Sequence, residues 1–128
     1  MAGTPENPAV LNNLATLYYL EGDSRAVATA RRANELAPRS AAVLDTYGWL
    51  LVESGAVADG LPLLKQADAG AGLTQPEIRL HYVAALARQG QLDEARRSLA
   101  QLRAEKPEFP SQSRESRLLA SLSELSAT

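Results

Sequence analysis

The 128-residue chain has no cysteine, one histidine and one tryptophan. Without cysteine there are no disulfides and no thiolate chemistry, while the compartment stays open, because periplasmic and cytosolic proteins can both lack it. His81 has no second His, Cys or carboxylate cluster at metal-ligand spacing, so a surface or groove contact is expected of it rather than metal binding. No Gly-rich phosphate loop, no HExxH and no nucleophile with a base at motif spacing occurs. The sequence therefore offers no catalytic residue, no cofactor site and no metal site, and an enzyme is not expected. A net charge of -2 with both signs interspersed lacks the basic stripe that nucleic acid binding needs. No run of 18 apolar residues is present to span a membrane. Met1-Ala2-Gly3-Thr4 is short and polar, without the charged-then-apolar layout of a signal peptide, and reads as a start or added residues ahead of a domain boundary.

What the chain does have is a pattern repeated three times at a period of 33 to 35 residues. Leu11-x2-Leu14-Ala15-x2-Tyr18 is followed by Ala26-x3-Ala30-x2-Ala33 and Pro38. Leu44-x2-Tyr47-Gly48-x2-Leu51 is followed by Gly60-x3-Leu64-x2-Ala67 and Gly72. Arg79-x2-Tyr82-Val83-x2-Leu86 is followed by Ala95-x3-Leu99-x2-Leu102 and Pro107. Gly22, Gly55 and Gly90 break the chain between the two helices of each unit, at spacings of 33 and 35. Ala26, Gly60 and Ala95 fall where two helices must approach closely. The pattern resembles the tetratricopeptide repeat (TPR). That resemblance implies an all-α fold: an α-solenoid of three TPR helix hairpins, with a C-terminal capping helix, that binds other proteins. Residues 1–7 precede the repeats, which occupy 8–40, 41–75 and 76–109, and 110–128 hold the cap and tail.

Local signals place the helices. Asn7-Pro8 opens the first, with an N-cap followed by proline where its missing N–H costs nothing, and it runs to about Glu21. Asp23 or Ser24 is expected to cap the second, and Ser40 the third, from Ala41 to Ser54. The fourth, about Val57 to Ala69, contains Pro62, which removes a backbone hydrogen bond and presses on the Ala58 carbonyl; a kink or a late start is expected, as a tolerated irregularity of the first turns rather than a bend of the superhelix. Thr74-x-x-Glu77 reads as a capping box for the fifth, and Asp93 and Arg97 as an i,i+4 pair on the sixth, about Leu92 to Glu105. After Pro107 and Pro110, a seventh helix over about 111–125 places Leu118, Leu119, Leu122 and Leu125 on one stripe, as an end cap requires.

The TPR resemblance also implies which residues line the concave groove: Asn12, Thr16 and Tyr19 from the first helix, Asp45, Thr46, Trp49 and Glu53 from the third, and Glu77, His81, Ala84 and Arg88 from the fifth. Tyr19 and Trp49 are the expected anchors, since a large ring on a polar face buries much area at little entropic cost. Packing between helices remains an alternative for Trp49 and is the expected role of Tyr18, Tyr47 and Tyr82. TPR domains that clamp a C-terminal carboxylate use Lys, Asn and Arg on these helices, whereas Asn12, Thr16, Thr46, Glu77 and His81 stand here. That departure argues against an acidic C-terminal tail as ligand.

Whole stretches, Asn12 to Tyr19 with Glu21-Gly22-Asp23, Val43 to Trp49, Pro76 to Arg79 with His81-Tyr82, and the terminal Phe109-Pro110, resemble the last repeats of large TPR lipoproteins of Gram-negative exopolysaccharide and exosortase (PEP-CTERM) systems. This second likeness implies a periplasmic or outer-membrane-associated scaffold whose lipid-bearing cysteine lies upstream; without it, a cytoplasmic location is expected. Two functions stay open: a scaffold holding a protein or peptide segment in its groove, and a spacer or self-association unit with an idle groove. An excised C-terminal piece of a longer protein is expected, with a small natural repeat protein as the alternative. A cut there would bare apolar surface at Leu11, Leu14, Val27 and Ala30 and produce a weak homodimer, or a lattice contact, through the first repeat.

Overall fold

A computed structural model of the chain describes residues 6–106. Six helices follow one another: α1 (Pro8–Leu20), α2 (Ala26–Leu36), α3 (Ala41–Glu53), α4 (Val57–Ala71), α5 (Pro76–Arg88) and α6 (Leu92–Glu105), with no strand among the described residues. The expected seventh helix and the first five residues lie outside them. Asn7 caps α1, its Oδ1 accepting from the N–H groups of Ala9 (2.8 Å) and Val10 (3.2 Å), and the Ser40 hydroxyl accepts from the Val43 N–H at 3.3 Å to cap α3.

Each hairpin turns through the same device. Gly22, Gly55 and Gly90 sit at φ of 71°, 98° and 86°, a left-handed conformation that residues with a Cβ rarely adopt. Beside each, the N–H of the next residue reaches back to a carbonyl in the last turn: Asp23 to Tyr18 (2.8 Å), Ala56 to Leu51 (2.8 Å) and Gln91 to Leu86 (2.9 Å). Together with the glycine N–H bonds to Tyr19, Val52 and Ala87, these are Schellman closures. They fold α2, α4 and α6 back onto α1, α3 and α5.

Several local expectations fail for identifiable reasons. Neither Asp23 nor Ser24 caps α2, which begins after Arg25 with no side-chain cap. The Asp23 carboxylate instead accepts from the Arg25 backbone N–H at 2.9 Å and its guanidinium at 2.7 Å, a loop bond its short side chain reaches first. Those bonds, the guanidinium's foremost, push its pKa down to about 2. The Thr74 capping box does not form, because Thr74 Oγ1 donates back to the Ala71 carbonyl at 3.2 Å and α5 starts at Pro76 after Gln75. Asp93 pairs with Arg96 at 3.3 Å, one place short of Arg97. No late start occurs at Pro62, since α4 is helical from Val57. Pro62 and Ala58 are both exposed, so water can satisfy the carbonyl that the missing N–H leaves open.

Small residues set the closest helix crossing. A Cβ on Gly60 would overlap the Gly48 carbonyl, and one on Gly48 would come within 3.0 Å of the Leu64 side chain, so α3 and α4 meet backbone to backbone. The core grows heavier along the chain. Around α1 and α2 it consists of Ala15, Ala26 and Ala30 with Leu50. Around α5 and α6 it holds Leu80, Val83, Leu86, Leu99 and Leu102, each large side chain worth roughly 1.5 to 3 kcal/mol of burial. Of the expected bare residues, Ala30 is fully buried and Leu11, Leu14 and Val27 are half-buried. Ala30 and Val27 belong to the first core cluster, and the large apolar side chains of α1 that stand in water are Val10, Leu17 and Leu20.

Two polar ties cross the apolar seams. Arg79, 7% exposed, donates to Asp68 on α4 (2.5 Å) and to the Ser98 carbonyl and Gln101 Oε1 on α6 (3.1 Å each). Tyr82, also buried, donates to Glu94 at 2.6 Å, and desolvation together with that bond holds its phenol protonated well above the usual tyrosine range. Tyr18 and Tyr47 pack against the first core cluster, so all three signature tyrosines serve packing.

Among the described residues α1 touches α3 and α3 touches α5, whereas α2, α4 and α6 do not touch one another. The first helices of the hairpins therefore crowd together on the inner side of the stack, and the second helices splay on the outer side. This side-by-side succession of hairpins is a solenoid.

Candidate functional site

The inner face divides into two unlike halves. Between α3 and α5, five side chains form one continuous chain. Asp45, 8% exposed, lies 2.8 Å from His81 Nδ1. A carboxylate only accepts, so the imidazole Nδ1–H donates. The imidazole stacks on Trp49 with ring centroids 4.3 Å apart and planes inclined by 14°. Arg88 places its guanidinium 5.2 Å from the indole centroid and pairs with Glu53 at 3.6 Å, an ion pair too long for a hydrogen bond.

Helical spacing explains the arrangement. His81, Ala84 and Arg88 lie three and four places apart on one face of α5. Ala84 is 2% exposed and therefore does not line the groove as expected; its small side chain leaves room on that face between His81 and Arg88. Trp49, half-buried, packs against the core cluster that includes Ala84 while keeping part of its surface in water. Stacked rings of this kind contribute about 0.5 to 1.5 kcal/mol beyond their burial, and the exposed Arg88 to Glu53 pair adds at most about 1 kcal/mol.

The α1 side is neutral and less connected. Thr16 Oγ1 donates to the Asn12 carbonyl at 3.1 Å and Thr46 Oγ1 to the Ala42 carbonyl at 3.0 Å, so both hydroxyls are turned to their own helices. Asn12 Oδ1 is buried with no hydrogen-bond partner. Asn12 and Thr46 occupy the places that Asp45 and His81 hold one repeat later, and no bond joins them. Tyr19 is half-buried against the first core cluster. Glu77, half-buried, sits in the first turn of α5, where the helix dipole favours a carboxylate.

Of the eleven residues expected to line the groove, the structure joins Asp45, Trp49, Glu53, His81 and Arg88 into one cluster and leaves Asn12, Thr16, Tyr19, Thr46, Glu77 and the buried Ala84 outside it. Sequence reasoning missed the buried Arg79 tie. The available signal was a charged residue at a signature place where the other repeats have Leu11 and Leu44. Among the described residues no three His, Cys, Asp or Glu side chains are grouped to hold a metal ion, and no helix is long and apolar enough to cross a membrane. A tetratricopeptide repeat family model matches residues 5–112. No curated protein matches the chain.

Proposed function

Because the chain belongs to the tetratricopeptide repeat family, whose repeats generally mediate protein–protein interaction, we propose that its inner face between α3 and α5 holds a segment of a partner protein. The observation that carries this reading is the cluster built on Trp49. An indole held flat by His81 and Arg88 is pre-organised, so little side-chain entropy is lost when a ligand covers its remaining surface. Asp45, Glu53, Arg88 and the His81 ring supply both signs of charge and both kinds of hydrogen-bonding group around it. The resemblance to exopolysaccharide-system lipoproteins supports a place in the cell envelope, as a non-catalytic scaffold of an export or polysaccharide assembly.

The test is Trp49→Ala, with a thermal melt beside a binding titration against a peptide selected from a display library on the wild-type chain. An anchor loses about 2 kcal/mol or more of binding with a small change in melting temperature. A large fall in melting temperature, with binding by the folded fraction unchanged, would make Trp49 a packing residue and remove the reading.

A second reading, self-association through the first repeat, is favoured by one observation: Val10, Leu17 and Leu20 are 50% exposed or more.

A further inference from the structure

The exposed face of α1 has buried counterparts within the same chain. Val10 and Leu17 are 60% and 50% exposed, whereas the residues at the same places in the next two repeats, Val43 and Leu50 on α3 and Ile78 and Ala85 on α5, are 4% exposed or less. In α3 and α5 these places are closed by the preceding hairpin. Among the described residues α1 packs only on α2 and α3, so none of them plays that part for it. Leu20, 55% exposed, extends the stripe. Val10, Asn13, Leu17 and Leu20 alternate in steps of three and four, the spacing of a seam that two helices bury between them.

Resting on the second reading above, self-association through the first repeat, we propose that the occupant of this face is a second copy of the chain, its α1 lying antiparallel to the first about a twofold axis. Val10 then meets the partner's Leu20, and Asn13 meets the partner's Leu17. The stripe is complementary to its own reverse, which a twofold contact requires. Charge favours the same direction. α1 has no acidic residue in its first turn and no basic residue in its last, and exposed Glu21 follows its C-terminus. Antiparallel pairing brings the partner's Glu21 to the N-terminal turn, where the dipole stabilises a carboxylate; parallel pairing would set the two carboxylates side by side. One 13-residue helix presents less area than the roughly 800 Å² per partner of a standard interface, and Asn13 puts a polar group in the seam. The dimer is therefore weak. Asn12, Thr16 and Tyr19 lie about a third of a turn around α1 from the seam, which leaves the inner face open.

Sedimentation equilibrium of the full chain, from about 10 μM to about 1 mM, reads the association. The wild type is expected to dimerise with concentration, and Leu17→Glu, at an exposed place where circular dichroism should report an intact fold, to weaken it at least about tenfold. Because the chain has no cysteine, direction is read by mixing Val10→Cys and Leu20→Cys copies and oxidising them. With equal amounts mixed, the disulfide joining position 10 to position 20 is expected to exceed the half share that random pairing would give. A chain that stays monomeric, or a folded Leu17→Glu variant that dimerises as well as the wild type, overturns self-association through the first repeat. A dimer that cross-links 10 to 10 and 20 to 20 overturns the antiparallel arrangement alone.

Discussion

Replacing Arg79 by Leu is expected to destabilise the chain by about 3 to 5 kcal/mol, the usual cost of removing one member of a buried ion pair and stranding the other. The guanidinium is bonded to Asp68 at 2.5 Å and to Ser98 and Gln101 at 3.1 Å, with side chains only 8% and 12% exposed on its own and the Asp68 side. Loss of Arg79 leaves a half-dehydrated carboxylate and two unsatisfied acceptors at the joint of three helices. The preceding seam supplies the control, because Asn34 and Leu44 stand there where Asp68 and Arg79 stand here. That seam closes without any ion pair, although Asn34 Oδ1 stays unbonded. Asp68→Asn combined with Arg79→Leu recreates it, and the double variant should be more stable than the two single costs sum to, by about 1 to 3 kcal/mol. Urea unfolding followed by far-ultraviolet circular dichroism on the four proteins measures the cycle. A single-variant cost below about 1 kcal/mol, or costs that simply add, would refute the reasoning and place the pair in effective contact with water.

Gly60→Ala should cost about 2 to 3 kcal/mol by overpacking, since its Cβ overlaps the Gly48 carbonyl; a melt within a degree of wild type would show that α3 and α4 can separate freely. Of the four tyrosines, Tyr82 should resist ionisation until the chain unfolds, as followed by tyrosinate absorbance. Its folded pKa is raised by desolvation and by Glu94, so its contribution is fully present below the unfolded value of about 10 and lost as pH climbs through the folded one. Tyr82→Phe should abolish that late step, and an unchanged titration would contradict the burial. Hydrogen exchange should protect α1 and α2 least and α5 and α6 most, following the shift from an alanine core to a leucine core; the reverse order would contradict that packing.

The hairpin turns were legible because only glycine readily accepts the conformation they need, and three glycines stood in phase. Caps read less well. Asn7 and Ser40 do cap their helices, but Asp23 and Thr74 found nearer partners in their own loops, a competition that spacing alone does not decide. At Pro62 the late start failed because Ala58 and Pro62 are exposed, which the spacing does not tell. The Arg79 tie joins residues 11, 19 and 22 places apart, beyond any local pattern. In the groove, the repeat register pointed to α1, α3 and α5, yet membership of the cluster depended on which side chains bridge α3 and α5. Asp45 reaches His81 across that gap, whereas Thr46 bonds to its own helix and the Asn12 side-chain oxygen stays unbonded.

Trp49 is the chain's one tryptophan, so its emission reports on the inner face alone. The most direct measurement is that emission during titration with a peptide selected for binding the chain, repeated on Arg88→Ala. A saturable spectral change in the wild type, shifted to at least about tenfold weaker affinity in the variant, is the expected result. Calorimetric binding of the same peptide that leaves Trp49 emission unaltered would contradict the assignment of the partner to the face between α3 and α5.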